Sequence, residues 1–365
     1  MKNEYSFKFA PEVIFGCSKR NVLHEKLAGF ERKMLICGRH FAQSRIFKEI
    51  FSSRNDYFVH IVESSEPTLD MVAATLEYAR INNVQSIVSI GGGSVIDIGK
   101  TVAGLFNQPG SVEDYFYCRM EPAAERIFFC ALPTTAGTGA EVTPNAVLSD
   151  TKTNIKQSIR GRVFGVDLAI VDPELTYDCP LSLVRYSGMD ALTQAIEAAI
   201  SNKANHLTFG WSMESFRLIF ENLRAACDGD LEAKNAVSEG TLIGAMAFPF
   251  SGLGAVHGLA HPIGSLYHLP HGFVCGILLV HILKINRNFL GTAAAAYYGR
   301  EGTPEKLLSE IAALADDLEI PRNLKGYLKK EDFQFIIQNC RSGSMKCNPV
   351  ALSDSDIEEL LESLI

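Results

Sequence analysis

A chain of 365 residues is longer than one small core requires and predicts two domains. Its 47% hydrophobic and 21% charged residues are those of a globular enzyme, and a formal charge of −8 excludes a nucleic-acid surface, which needs a basic patch. The nine cysteines contain no CxxC pair, which excludes a zinc ribbon or disulfide framework and reads as reduced, buried thiols in a cytosolic protein. The opening MKNEYSFKFAPEV lacks the pattern of a signal peptide. No stretch approaches the roughly 20 uninterrupted apolar residues of a membrane span. A cytoplasmic protein with neither membrane nor nucleic-acid partner is expected.

Along the chain, Met34–Cys37, Tyr57–Val62 and Ser86–Ile90 are short and apolar or β-branched, as buried strands are. Between them, His40–Phe51 and Thr68–Asn82 carry apolar residues at helical spacing. Ile127–Leu132 and Leu168–Val171 read as later strands. This alternation predicts an α/β domain with a parallel sheet. From Leu181 onward the segments lengthen and turn helical: Val184–Ser201, Leu207–Cys227, Leu231–Phe248, Val274–Asn286, Pro304–Leu318 and Asp354–Leu364. The boundary is expected between Pro173 and Pro180, giving domains of residues 1–178 and 179–365. Ligands of such two-domain enzymes usually sit between the domains.

The first motif is SIVSIGGGSVIDIGK, a strand, three glycines and a helix start. Gly91, Gly92 and Gly93 allow backbone N–H groups to approach a pyrophosphate, Ser94 is expected to cap the helix, and Asp97 to lie in its first turn. The string is neither a Rossmann GxGxxG nor a Walker loop, so a plain strand–helix turn is the competing reading. A second segment, PTTAGTGAEVTP, offers the Thr134, Thr135 and Thr138 hydroxyls for phosphate or ribose contacts, or is an ordinary Thr/Gly loop.

In the helical half, Asp190 and Gln194 lie four apart in GMDALTQAIEA, on one helix face. Further on, VHGLAHPIGSLYHLPHG carries His257, His261, His268 and His271, with Pro262 expected to end or bend its helix. Imidazoles and a carboxylate arriving from two helices can make a metal site. The alternatives are satisfied core histidines and an N-cap role for Asp190. His281, a little further on, keeps the histidine count from choosing the ligands.

Together these strings, with VDPELT and the tail CNPVALSDSDIEELL, resemble the iron-containing (group III, metal-dependent) alcohol dehydrogenase family, in its glutamine-bearing subgroup. The resemblance implies a dehydroquinate synthase-like fold: an N-terminal dinucleotide-binding α/β domain and an all-α C-terminal domain, with a divalent metal, Fe²⁺ or Zn²⁺, between them. It implies an NAD(P)-dependent alcohol dehydrogenase or aldehyde reductase acting on a small aldehyde or alcohol, in a homodimer or larger homo-oligomer. Carried over, the metal ligands fall on Asp190, Gln194, His257 and His271. His261 falls on the substrate or proton-relay position. Gly91–Ser94 and Asp97 match the pyrophosphate loop, the three threonines match the second cofactor segment, and Lys156 matches a lysine near the nicotinamide ribose.

Two departures refine this expectation. Where the best-known members carry a histidine ligand this chain has Gln194, neutral and less suited to Fe²⁺ or Zn²⁺. A weaker metal site is expected, with a metal-free reductase as the alternative. After the MLIC strand, Gly38-Arg39 stands where NAD-using members tend to carry an acidic residue. An arginine pairs with a 2′-phosphate instead, so NADP(H) is favoured over NAD(H). Lys156, Arg160 and Arg162 are candidates for greeting an anionic substrate. Polyol or phosphopolyol dehydrogenases, dehydroquinate synthase-like lyases and a catalytically silent binding protein remain as rival readings.

Overall fold

The structure is a computed structural model describing residues 5–8, 11–63, 66–153 and 155–365. The chain divides into two compact units. One comprises Lys8–Thr135 and Gly139–Cys179; the other comprises Pro180–Ile365 with Ala136–Thr138 and the described part of Met1–Phe7.

The first unit runs β1 (Glu12–Phe15), α1 (Leu23–Lys26), β2 (Lys33–Gly38), α2 (Arg39–Ala42), α3 (Arg45–Phe51), β3 (Tyr57–Val62) and α4 (Leu69–Ile81). It continues with β4 (Ser86–Gly91), α5 (Gly93–Leu105), α6 (Val112–Phe116), β5 (Phe128–Pro133), β6 (Asn145–Asp150), β7 (Ile155–Arg160) and β8 (Leu168–Val171). Six strands form a parallel sheet in the order β1-β8-β5-β4-β2-β3. Buried position depends on place in the sheet: β4, at the centre, is buried at all six residues, whereas the edge strand β3 exposes Val59 and Ile61. α5 is buried from Val95 to Leu105. Gly99 lets it lie on the sheet, since a Cβ there would sit 2.0 Å from Ser89 Oγ and 2.6 Å from the Phe129 ring.

One local expectation is corrected, and three strands join those the sequence predicts. The segment His40–Phe51 is two helices, because Ser44 stops the first and caps the second by accepting the Phe47 N–H at 3.0 Å. β1 is too short and too polar at its start to announce itself. β6 and β7 form a separate antiparallel pair; β6 is mostly buried but polar at both ends, and β7 is mostly half-buried or exposed, so neither has the full apolar run of the parallel strands.

The second unit contains α7 (Leu181–Ile200), α8 (His206–Cys227), α9 (Leu231–Ser251), α10 (Ala255–Tyr267) and α11 (His271–Ile285). α12 (Gly291–Tyr298), α13 (Pro304–Asp317), α14 (Phe333–Asn339) and α15 (Asp354–Glu362) complete it. Its core joins Leu192 and Ile196 of α7, Phe216 and Ile219 of α8, Leu259 and Ile263 of α10, and Val274 and Leu278 of α11. Pro262 neither ends nor breaks its helix: α10 runs through it and closes at His268, whose φ is 53°. A mid-helix proline costs about 3 kcal/mol. Burial of Val256, Leu259, Ala260 and Ile263 outweighs that at roughly 1.5–3 kcal/mol per large side chain.

Among the described residues no single helix is long and apolar enough to cross a membrane. None of the nine cysteines is in a disulfide, but Cys17 and Cys118 are exposed rather than buried, and Cys179 and Cys227 are half-buried. Both exposed thiols lie in short polar connections, where spacing could not tell them from core cysteines.

Candidate active site

Chain order decides where a ligand meets the parallel sheet. β2 connects to β3 on one side, and β3 returns to β4 on the other side of β2. This reversal opens a crevice at the carboxyl ends of β2 and β4, the place where doubly wound sheets bind ligands. Gly38-Arg39 follows β2, Gly91–Gly93 ends β4 and opens α5, and Thr134 follows β5. The segments touch: Thr134 donates its N–H to Gly91 O at 2.9 Å, and a Cβ on Gly92 would lie 3.6 Å from the Thr135 side chain. An α-helix leaves its first-turn N–H groups without intrahelical acceptors, which makes the N-terminus of α5 an anion site.

The roles inside this loop differ from the expectation in two respects. Ser94 is not the cap; Gly92 holds that position, with no side-chain hydrogen bond, and Ser94 sits inside the first turn. Gly91 is required by packing, because a Cβ there would lie 2.6 Å from Val95. Asp97 lies beyond the first turn and is buried. It pairs with Lys100 at 3.0 Å and accepts the Val147 N–H at 2.9 Å. Burial lifts its carboxyl above the ordinary value against the pull of Lys100. Asp97 therefore braces the loop from below and anchors β6.

Lys100 is wholly buried and also donates to Asn145 O. Nearby, Glu141 is 3% exposed, and burial pushes its carboxyl up to about 7 despite Lys100. Both residues lie in the quoted motifs, GGGSVIDIGK and PTTAGTGAEVTP. Neither was singled out, because a charged residue in an otherwise apolar run usually faces solvent.

Arg39 forms an ion pair with Glu63, just past β3, and both side chains are largely exposed. Lys156, on β7, pairs with Glu66 at 2.7 Å, while Arg160 and Arg162 are exposed. Thr134 and Thr135 are half-buried past the carboxyl end of β5; Thr138 is exposed and falls in the short segment grouped with the helical unit. Within that segment Gly137 packs on α7, where a Cβ would meet that of Ser187 at 2.6 Å.

In the helical unit α7, α10 and α11 bring Asp190, His257 and His271 together. Asp190 Oδ1 lies 3.2 Å from His257 Nε2 and 3.7 Å from His271 Nε2. With Cys275 Sγ, the four donor atoms all lie within 4.8 Å of one another. Asp190 is thus mid-helix, not an N-cap. Gln194, one turn on, donates a hydrogen bond to Asp190. His261 stacks on His271, with ring centroids 5.0 Å apart and planes 19° apart. His268 closes α10, and His281 bonds to the Arg322 carbonyl, so neither belongs to this group.

Two members were not anticipated. Glu197, seven residues after Asp190 on the same face of α7, holds His257 Nδ1 at 2.7 Å and accepts the N–H groups of Gly254 and Val256. Cys275 lies four residues after His271 and 3.5 Å from its Nε2. The signal was there in the helical spacings i+7 and i+4, but spacing alone cannot show which face turns inward.

The electrostatics suit a cation. Asp190 and Glu197 are buried, and among the described residues their ion-pair partners are histidines only. Burial opposes ionisation of Asp190, yet the charges of His271 and His257 hold its carboxyl below the ordinary value. Burial likewise opposes protonation of His257, but Asp190 and Glu197 raise it to about 9. Burial, Asp190 and Glu197 keep the Cys275 thiol well above its ordinary value. A carboxylate, two imidazoles and a thiol, with one imidazole braced from behind by Glu197, form a donor set that fits a divalent transition metal.

The profile of iron-containing alcohol dehydrogenases matches residues 10–173, and that of the family's C-terminal part matches residues 184–365. The chain is 29% identical over 362 residues to alcohol dehydrogenase 4 of Schizosaccharomyces pombe, covering 95% of this chain and 86% of that one. It is 34% identical over 300 residues to 1,3-propanediol dehydrogenase of Citrobacter freundii, covering 78% and 77%. Among solved structures, sulfoacetaldehyde reductase from Bifidobacterium kashiwanohense in complex with NAD⁺ superposes with a TM-score of 0.93 at 26% identity, covering 100% of this chain and 99% of that one. The chain belongs to the iron-containing alcohol dehydrogenase family and is an oxidoreductase of the alcohol dehydrogenase kind.

Proposed function

We propose that the protein interconverts a small aldehyde and its alcohol with a nicotinamide dinucleotide, assisted by a divalent metal. The observation that carries this reading is the convergence of Asp190, His257 and His271 donors in a chain that also keeps the glycine loop at a sheet switch point. When bound, the nicotinamide supplies hydride chemistry at C4 and the ion, Fe²⁺ or Zn²⁺, supplies Lewis acidity toward the substrate oxygen.

The residues divide the remaining work. The N-terminus of α5, from Gly91 through Ser94, binds the pyrophosphate, with Asp97 bracing it. Thr134, Thr135 and Thr138 offer hydroxyls to the cofactor, and Lys156 is assigned to its nicotinamide ribose. Asp190, His257 and His271 hold the ion, with Gln194 the fourth residue of the set, engaged through Asp190. His261 moves the proton at the substrate oxygen, directly or through water.

NADP(H) is favoured over NAD(H) through Gly38 and Arg39. The Arg39–Glu63 pair is exposed, and such pairs contribute about 0–1 kcal/mol, so Arg39 can exchange Glu63 for a 2′-phosphate. Arg160 and Arg162 suit an aldehyde bearing an acidic group, in line with the sulfoacetaldehyde named for the reductase above. A cytoplasmic homodimer or larger homo-oligomer is the proposed form.

The hydrogen-bonded chain Asp190–His257–Glu197 favours one second reading, a metal-free reductase in which the histidines donate to the substrate. Metal analysis of protein purified without chelator, with aldehyde reduction measured before and after chelation, separates the two. Loss of activity on chelation and recovery on adding back Fe²⁺ or Zn²⁺ is expected; undiminished activity without metal would establish the second reading. His257→Ala should abolish metal retention, whereas His261→Ala should lower turnover with metal retained.

A further inference from the structure

We propose that Cys275 is a metal ligand, adding a thiolate to the oxygen and nitrogen donors of Asp190, His257 and His271. The inference rests on the metal-holding reading above and changes the nature of the site: one sulfur, one oxygen and two nitrogens instead of oxygen and nitrogen alone.

The placement of Cys275 follows from the backbone. It lies one turn after His271 on α11, so both side chains project from the same face. Each is followed by a glycine. A Cβ on Gly272 would lie 2.0 Å from Tyr186 O and 3.2 Å from Asp190 Cβ, and one on Gly276 would lie 3.5 Å from Met189 Cβ. Both glycines allow α11 to press directly on α7 at Tyr186–Asp190, which carries His271 and Cys275 onto the Asp190 carboxylate. Cys275 is wholly buried at the margin of the apolar core, 3.5 Å from His271 Nε2 and hydrogen-bonded to Asp190, so its sulfur reaches the donor atoms.

The binding step balances in atoms and electrons. On binding, the thiol gives up its proton to solvent and the sulfur lone pair forms the bond to M²⁺; no oxidant or reductant is involved. The Cys275 thiolate adds a second negative charge to that of Asp190 within the ligand set, while the buried Glu197 carboxylate bonds to His257 Nδ1 and stays outside it. Gln194 serves instead as a positioning residue, through its hydrogen bond to Asp190. A thiolate also moves the site's preference toward Zn²⁺.

The test uses the full-length protein stripped with a chelator and reloaded with one equivalent of Co²⁺ or Zn²⁺. The Co²⁺ protein should show a near-ultraviolet thiolate-to-cobalt charge-transfer band that persists in Gln194→Ala and disappears in Cys275→Ser. Competition with a chromophoric chelator should show Zn²⁺ held about tenfold or more less tightly by Cys275→Ser. X-ray absorption at the zinc edge of the wild-type protein, which needs no variant to fold, should show one sulfur at about 2.3 Å. A stoichiometric ion with only nitrogen and oxygen neighbours, or a charge-transfer band that survives Cys275→Ser, would overturn the assignment while leaving the metal-holding reading intact. Failure of the wild-type protein to retain either ion would overturn both.

Discussion

Glu197 Oε2 lies 2.7 Å from His257 Nδ1, and the same carboxylate accepts the Gly254 and Val256 N–H groups at the start of α10. One side chain thus aims the imidazole and caps the helix that carries it. The bond also keeps a proton on Nδ1, so that an ion displacing the other proton would be held by Nε2, the nitrogen that faces Asp190.

Glu197→Gln keeps the size and one acceptor oxygen but removes the charge. Metal affinity should fall about 10–100-fold, with a partial loss of melting temperature because the amide NH₂ faces an N–H donor where a carboxylate oxygen accepted. Glu197→Ala should in addition lower stability by about 1–3 kcal/mol, because buried N–H groups lose their acceptor. Metal titration and thermal unfolding of the two variants side by side check both statements. Unchanged affinity in Glu197→Gln would show that its charge does not support the site.

Lys100 and Asp97 form a wholly enclosed pair under the glycine loop. Lys100→Met should destabilise by about 3–5 kcal/mol, since it leaves Asp97 buried without its cation. Adding Asp97→Asn should restore part of that loss. Denaturant unfolding of the two singles and the double gives the coupling energy directly. Additive losses would mean that the two residues act independently.

Glu141 supplies a pH dependence with a definite sign. Its carboxyl ordinarily titrates near 4.5 and is raised to about 7 in the fold. Between these values the folded chain holds a proton that the unfolded chain has released. Stability from this residue is therefore full below about pH 4.5, falls as pH rises through the window, and is flat above about pH 7. The total change is on the order of 3 kcal/mol. Glu141→Gln removes the titration, so it should come nearest the wild type at pH 4 and exceed it at pH 8. Unfolding at several pH values measures this; a difference that does not vary with pH would mean that Glu141 is ionised throughout.

The Arg39–Glu63 pair provides a cofactor test. Arg39→Ala should lower kcat/KM with NADPH by about 10–100-fold, the loss of one charge-assisted hydrogen bond of about 1.5–3 kcal/mol, with little effect on NADH. Glu63→Gln should move preference toward NADPH by releasing Arg39. Steady-state kinetics with both cofactors decides; equal losses with NADH and NADPH after Arg39→Ala would show that the arginine does not read the phosphate.

Much of this molecule is determined by local pattern. The runs at Met34–Cys37, Ser86–Ile90 and Leu168–Val171 are apolar because parallel strands are covered on both faces. The long helices of the second unit declare themselves through their period. The triple glycine, the threonine segment, and Asp190, His257 and His271 stand out because glycine and histidine are scarce in ordinary helix and strand interiors. What the tertiary structure decided concerns relations between distant segments. The order of six strands made the glycine loop and Gly38-Arg39 neighbours. Packing around Val256 and Leu259 carried α10 through Pro262. Contact of α11 with α7 through Gly272 and Gly276 turned a buried thiol toward Asp190, and seven residues of helix brought Glu197 behind His257. Spacing specifies which residues share a face, but only the packing of one helix on another specifies which face turns inward. For that reason Cys275 and Glu197 emerged from the fold.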